Sequence, residues 1–367
     1  MITSIQLRSF KGHRDTTVPL GRLTVLVGPN GTGKTSVLQA LSLLAKLVDD
    51  KPAKVLRDDM SPQDLLRRSE QGPITLAVEG TDNALPWKLA IQLSQPLPGH
   101  HQGMRVDWSY GAQNGYEDTI SVPLASEVPE LEAEKVRLAS LVSPAVLYHF
   151  DARRIAAAAY SSEENPALEA DGGNTAVVLA ALKLEREEVF EQIESELRRV
   201  VPSVQRIRVR RIKMPQGLML NTEERIGNKV FIDFQGATDI PAHGASEGTL
   251  ISLALLTALC SPNRPRILLL DDIDQSLHPQ AQMELMGELK RLLEGFPDVQ
   301  LVATTHSPYI LDALEPSDVR VFAPRKDGSV ACRSLSEHPQ AEKMRGVLTA
   351  GQLWSLDPEW RWVAGET

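Results

Sequence analysis

The chain has 367 residues, of which 42% are hydrophobic and 24% charged, with 39 basic against 48 acidic side chains and a formal net charge of −9. That is the composition of an ordinary globular protein. It excludes a disordered tail, a collagen-like repeat and a disulfide scaffold, and the acidic balance excludes bulk-basic nucleic-acid binding, so any DNA contact must come from a local patch.

Length predicts two lobes of roughly 100–200 residues each. Met1–Phe10 lacks the basic-then-apolar pattern of a secretory leader, and no apolar run approaches the roughly 18 residues of a membrane span. A cytoplasmic protein with no membrane partner is expected. Two cysteines, Cys260 and Cys332, fit a reducing compartment and leave no cysteine-based metal site.

Ile2–Leu7 alternates apolar and polar residues and predicts a strand. Leu23–Val27, bounded by Gly21 and Gly28, predicts a strand buried on both faces. Ser36–Val48 has helical spacing, so the chain opens strand, glycine loop, helix. Short strands at Pro73–Glu79, Trp87–Gln92 and Met104–Tyr110 predict an antiparallel meander. Leu124–Leu141 predicts a helix, and Thr175–Val200 a longer one, with Asp171-Gly172-Gly173-Asn174 as turn and cap. Strands are expected at Val204–Lys213, Gly217–Asn221 and Lys229–Phe234. The alternation then becomes helix (Thr249–Leu259), buried strand (Ile267–Leu270), helix (Gln280–Leu293) and buried strand (Val299–Thr304), the rhythm of a parallel sheet. No internal repeat and no long heptad array is present.

Gly28-Pro29-Asn30-Gly31-Thr32-Gly33-Lys34-Thr35 satisfies G-x-x-x-x-G-K-[ST] between a strand and a helix. Its glycines let successive N–H groups turn inward on a phosphate, and the helix start adds positive potential. Asn30, Gly31, Thr32, Gly33, Lys34, Thr35 and Ser36 form the expected cradle; Lys34 reaches the β- and γ-phosphates and Thr35 ligates Mg2+. At the end of Ile267–Leu270, Asp271 is the second metal residue and Asp272 the group that accepts a proton from attacking water. The alternative for this acid pair is a surface turn. His306, beyond the next strand, is expected within reach of a γ-phosphate, against the plainer reading of a structural histidine. Ser246-Glu247-Gly248-Thr249 opens a helix and on its own reads as a cap.

Two further features stand apart. Arg206, Arg208 and Arg210 alternate along one strand, joined by Arg211 and Lys213, as a DNA contact or a solvated face. Trp354, Trp360 and Trp362 crowd the tail, which either packs on the body or docks a partner.

In order, these motifs resemble the ATP-binding cassette ATPases, and more closely their RecF/SMC-like branch, including the ATPase part of OLD-type proteins. Ile5-Gln6-Leu7-Arg8-Ser9-Phe10-Lys11-Gly12 before the glycine loop, Ser246–Thr249 as a short signature motif, Leu277-His278-Pro279 as a D-loop and Thr305-His306-Ser307-Pro308 as a switch-histidine segment carry the likeness. Asp171–Asn174 is also similar to that branch. The resemblance implies an α/β P-loop ATPase head at 1–70 plus 240–335, an inserted α+β lobe at 71–239 and a tryptophan-rich tail at 336–367. It implies ATP and Mg2+, a head-to-tail homodimer in which Ser246 and Gly248 of one copy cap the ATP of the other, and hydrolysis through Asp272, His306 and Lys34. DNA repair or anti-phage defence with a separate effector, such as a nuclease, is the implied setting. Asp272 stands where the branch usually has glutamate, Asp274 where it carries a secondary acid, and no glutamine of a Q-loop is assigned. Neither a long coiled coil nor a TOPRIM domain is expected. A nucleotide-gated scaffold with little turnover is the rival reading. A transporter ATPase subunit is opposed by the long interval between Lys34 and Ser246, and a P-loop kinase by His306 and the serine–glycine helix in this order.

Overall fold

The computed structural model describes residues 1–49, 55, 65–67, 72–94, 104–119, 133–213 and 226–365. In chain order, β1 (Ile2–Phe10), β2 (His13–Pro19) and β3 (Leu23–Val27) lead into α1 (Lys34–Asp49). β4 (Ile74–Asp82), β5 (Leu85–Leu93), β6 (Met104–Tyr110), β7 (Gln113–Thr119), α2 (Ala133–Val142) and β8 (Ala145–Tyr148) follow. Then come α3 (Ala152–Ala156), α4 (Thr175–Glu185), α5 (Glu187–Val200), β9 (Val204–Lys213), β10 (Ile226–Phe234), β11 (Ala237–Pro241) and α6 (Glu247–Cys260). β12 (Ile267–Leu270), α7 (Pro279–Gly295), β13 (Gln300–Thr304), α8 (Pro308–Asp312), β14 (Val319–Pro324), β15 (Val330–Ser334), α9 (Ala350–Trp354) and α10 (Glu359–Trp362) complete the described elements. The expected strand at Gly217–Asn221 and the first part of the helix expected from Leu124 lie outside the described residues.

The chain divides into two compact units, one of Met1–Leu147, Arg266–Ile273 and Phe296–Thr367, the other of Tyr148–Pro265 and Asp274–Gly295. In the first unit the sheet order β15-β14-β3-β13-β12-β8 places β13 between β3 and β12. It runs parallel to both, with Leu301 opposite Leu23 on one side and Leu268 on the other. Every residue of β3, β12 and β13 is buried, as strands covered on both faces require. The carboxyl ends of these three strands therefore lie side by side, where open α/β sheets carry their ligands.

A second sheet of this unit, β2-β1-β4-β5-β6-β7, is antiparallel. β4 pairs directly with β1, Leu7 opposite Leu76 and Ile5 opposite Val78, and these four side chains share one core with α1. The division drawn at 70/71 from sequence thus falls beside a single continuous sheet. The joining follows from pairing and burial together: β4 takes the edge of β1 that β2 leaves open, and the apolar residues so aligned pack with α1. Asp82 at the end of β4 accepts a two-pronged pair from Arg137 of α2, at 2.6 and 2.8 Å, and the Tyr110 hydroxyl at 2.8 Å.

The tail belongs to the first unit. Trp362 is buried and stands edge-on to His338 at 5.0 Å, whereas Trp360 is 51% exposed. The Asp312 carboxylate, at the end of α8, accepts the Thr349 hydroxyl at 2.5 Å and the Gly351 N–H at 3.1 Å. The packing reading therefore holds for Trp362, while Trp360 lies on the surface.

In the second unit, the single helix expected over Thr175–Val200 is two. Arg186 leaves helical geometry at φ −143°, ψ 61°, and Glu187 and Glu188 open the next helix, where acids favour an N-terminus. Asn174 precedes α4 without capping it; its side chain instead accepts from the Glu169 N–H and donates to the Ala167 carbonyl. β9 pairs with β10 and β10 with β11. Two arginines of the expected basic face are neutralised, Arg208 by Asp233 at 2.6 Å and Arg210 by Asp239 at 2.5 Å. Strand alternation puts Arg211 and Lys213 on the opposite face. These pairings favour a solvated face over a DNA patch.

Candidate functional site

The glycine loop is seated by its own chain. Gly28 has φ +138° and Gly33 φ +80°, backbone states that a side chain strains. A Cβ on Gly28 would run into the Phe322 carbonyl, and one on Gly33 would lie 2.5 Å from the His13 ring. Between them, the Thr32 hydroxyl closes the turn on the Pro29 carbonyl at 2.8 Å. The Lys34 ammonium donates to the carbonyls of Gly28 at 2.8 Å and Pro29 at 3.0 Å, so it lies over the loop. Asn30 and Gly31 are exposed, and Thr35 and Ser36 are half-buried in the first turn of α1, whose leading N–H groups have no helical acceptors.

Distant parts of the chain converge beside that turn. The Thr35 hydroxyl donates to Asp271 Oδ1 at 3.0 Å. The same oxygen accepts the Thr304 hydroxyl at 2.7 Å, and Thr304 Oγ accepts the Asp272 N–H at 2.8 Å. The Ile273 N–H bonds the Thr304 carbonyl at 3.1 Å, completing a turn in which Asp272 has φ +51°. Asp271 and Asp272 are therefore held in a built turn, not a loose surface one. Thr304 was not singled out from sequence; its signal is a hydroxyl closing the apolar run Leu301–Ala303 beside an acid-ended strand. His306 is exposed two residues further on. Its neighbours are fixed, Thr305 by its N–H to the Leu26 carbonyl at 3.2 Å and Ser307 by its N–H to the Thr305 hydroxyl at 3.0 Å.

In the second unit, Ser246 is the N-cap of α6. Its oxygen accepts the Thr249 N–H at 3.2 Å and sits 2.8 Å from the Thr249 hydroxyl. The Glu247 carboxylate accepts the Ser276 hydroxyl at 2.7 Å. A Cβ on Gly248 would lie 2.9 Å from Leu277 and 3.2 Å from the Ser276 carbonyl. The Leu277-His278-Pro279 segment thus packs on the serine turn, two motifs brought together within one unit.

Among the described residues no group of three or more His, Cys, Asp or Glu could hold a metal. The Thr35 hydroxyl and Asp271 carboxylate form a small set of hard oxygens. That set fits Mg2+, which binds through one or two protein oxygens and takes the rest from water and phosphate.

Strand, glycine loop and helix, with an acid-ended parallel strand and a histidine beyond the strand between them, define a P-loop ATPase head of the SMC-like class. The chain belongs to the family described as "AAA domain, putative AbiEii toxin, Type IV TA system", whose model matches residues 23–312. It is 22% identical over 335 residues to the Septu protein PtuA of Bacillus mycoides (strain KBAB4), covering 89% of this chain and 40% of that protein. It is 38% identical over 78 residues to the OLD nuclease of Thermus scotoductus, covering 21% of this chain and 14% of that protein. The chain thus spans less than half the length of these curated relatives. Among solved structures, an Smc head bound to the C-winged helix domain of ScpA matches with TM-score 0.59 at 14% identity, over 91% of this chain and 98% of that one. The resemblance to ABC-type ATPases of the RecF/SMC-like, OLD-like branch is thereby borne out, as is the α/β P-loop fold. Among the described residues, no helix is long and apolar enough to cross a membrane.

Proposed function

We propose that this chain binds Mg-ATP at the Gly28–Ser36 loop, dimerises head to tail on it, and hydrolyses it to ADP and phosphate. The observation that supports this most is the Thr35–Asp271 hydrogen bond, which joins the phosphate loop to the acid-ended strand across most of the sequence. Asn30, Gly31, Thr32, Gly33 and Lys34 offer N–H groups and an ammonium to the phosphates. Thr35 and Asp271 hold the metal, which when bound supplies charge neutralisation at the phosphates. Asp272 orients the attacking water and accepts its proton, and His306 senses the γ-phosphate. Ser246 and Gly248 act on the partner copy's nucleotide from a helix N-terminus, an inherent anion site.

The RecF/SMC-like likeness supports a reading in which the protein works in the cytoplasm in DNA repair or anti-phage defence, with a separate effector such as a nuclease. The head is read as 1–70 plus 240–335, with β4–β7 added to it by their sheet pairing. The second reading, a nucleotide-gated scaffold with little turnover, is favoured by one residue: Asp272 is a methylene shorter than glutamate and reaches less far toward water.

The test is to size the Asp272→Asn protein by light scattering with and without Mg-ATP, beside a phosphate-release assay of wild type. A shift from monomer to dimer with ATP and faster release by wild type support the hydrolytic cycle. A nucleotide-dependent dimer with equal background release in both proteins supports the scaffold, and an assembly indifferent to nucleotide overturns ATP-driven closure.

A further inference from the structure

His13 has no place in the motifs described above, yet it lies against the phosphate loop. It opens β2 opposite Phe10 of β1 and is fully buried. Its Nε2 is 3.1 Å from the Gly33 carbonyl, which already accepts the Val37 N–H of α1 at 3.2 Å. A carbonyl only accepts, so this bond fixes the tautomer: Nε2 carries the proton and donates. Nδ1 then holds a lone pair, and it has no hydrogen-bond partner among the described residues.

The ring has a second neighbour. His13 stands edge-on to Phe322 of β14 at 6.4 Å, and the Phe322 carbonyl is the atom on which Gly28 rests. The two ends of the phosphate loop therefore sit on one pair of side-by-side residues, Gly28 on Phe322 and Gly33 on His13. Burial pushes the imidazole below its ordinary pKa, aided by the nearby Arg67 guanidinium and opposed by the Gly33 bond.

Fixing the Gly33 oxygen has a directional effect. In a trans peptide the C=O and the following N–H point opposite ways, so a carbonyl tied down toward His13 turns the Lys34 N–H away from that side. Preorganised donors of this kind cost nothing to align when an anion arrives.

We propose that His13 is a positioning residue of the nucleotide site, an Nε2 hydrogen-bond donor that holds the Gly33–Lys34 peptide in its phosphate-binding orientation. This rests on the reading of the glycine loop as a nucleotide cradle.

The test compares wild type with His13→Phe, His13→Gln and Lys34→Ala, titrating each with a fluorescent ATP analogue and Mg2+. Phenylalanine keeps the ring against Phe322 but cannot donate; glutamine can donate. The expected result is at least tenfold weaker binding for His13→Phe and recovery to within about threefold of wild type for His13→Gln. Wild-type affinity in His13→Phe with loss in Lys34→Ala overturns the role of His13 alone. Unchanged affinity in Lys34→Ala overturns the nucleotide reading and this role with it. Should His13→Phe fail to fold, nitrogen NMR of the wild-type protein labelled at histidine decides: a neutral ring protonated at Nε2 supports the proposal, and one protonated at Nδ1 overturns it.

Discussion

The Thr304 hydroxyl donates a hydrogen bond to Asp271 at 2.7 Å and accepts one from the Asp272 N–H at 2.8 Å, so one buried side chain sets both acids. Thr304→Val keeps the shape and deletes both bonds. The expected loss is about 1–3 kcal/mol of stability, the range for stranding buried polar groups, with phosphate release falling at least tenfold. Thr304→Ser retains the hydroxyl and should behave as wild type. Urea unfolding and a phosphate-release assay on the two variants check this.

Asp272 adopts φ +51°, a conformation that Asp and Asn tolerate better than other side-chain-bearing residues. Asp272→Asn should therefore leave the melting temperature nearly unchanged while lowering phosphate release by about a hundredfold or more, the usual worth of a general base. A release rate equal to wild type would remove Asp272 from the chemistry.

Gly248 has no room for a branched side chain, with Leu277 and the Ser276 carbonyl against it. Gly248→Val should cost about 1–3 kcal/mol by overpacking and abolish dimerisation in Mg-ATP. Light scattering with nucleotide, beside thermal unfolding without it, separates the two effects.

Arg137 and Tyr110 hold the Asp82 carboxyl at about 2, below its ordinary 3.8, the Arg137 hydrogen bonds being the largest cause. A depressed carboxylate stabilises the fold above its unfolded pKa, and that contribution is lost as pH falls through the folded one. Asp82→Asn should therefore be less stable than wild type at pH 7, by about 1–2 kcal/mol given the half-exposed arginine. The gap should narrow between about pH 4 and pH 2. Urea unfolding of both proteins across that range measures it, and a gap independent of pH would refute the assignment.

The tail tryptophans should separate cleanly. Trp362→Ala empties a buried site and should cost about 3–5 kcal/mol, whereas Trp360→Ala, at an exposed position, should fall within about 0.5 kcal/mol of wild type. Chemical unfolding reads both.

Much of the phosphate-loop region was legible because its signals are local. Leu23–Val27 and Ile267–Leu270 are strands covered on both faces, which leaves an unbroken apolar run in the sequence. The glycine loop carries its backbone requirements in its own letters. Thr304 and His13 were not legible, since Asp271 reaches Thr304 through the β12–β13 pairing, and Gly33 and Phe322 reach His13 from later parts of the chain. β14 escaped notice for another reason: Arg320 interrupts Val319–Ala323 yet is buried, its guanidinium spent on the carbonyls of Pro19 at 2.7 Å and Ser317 at 2.6 Å. A charge inside a strand disguises it. The break at Arg186 was hidden because no Gly or Pro marks it, only the acids that start the next helix.

The Asp312 carboxylate makes Thr349 a natural dividing line for anyone shortening this protein. A version ending before Thr349 leaves that carboxylate without the two donors that tie it down, at the far end of the short helix that begins just after His306. One ending beyond Trp362 keeps both. Trimmed versions of the two lengths should differ in how they turn over nucleotide even though neither cut touches a phosphate-binding residue.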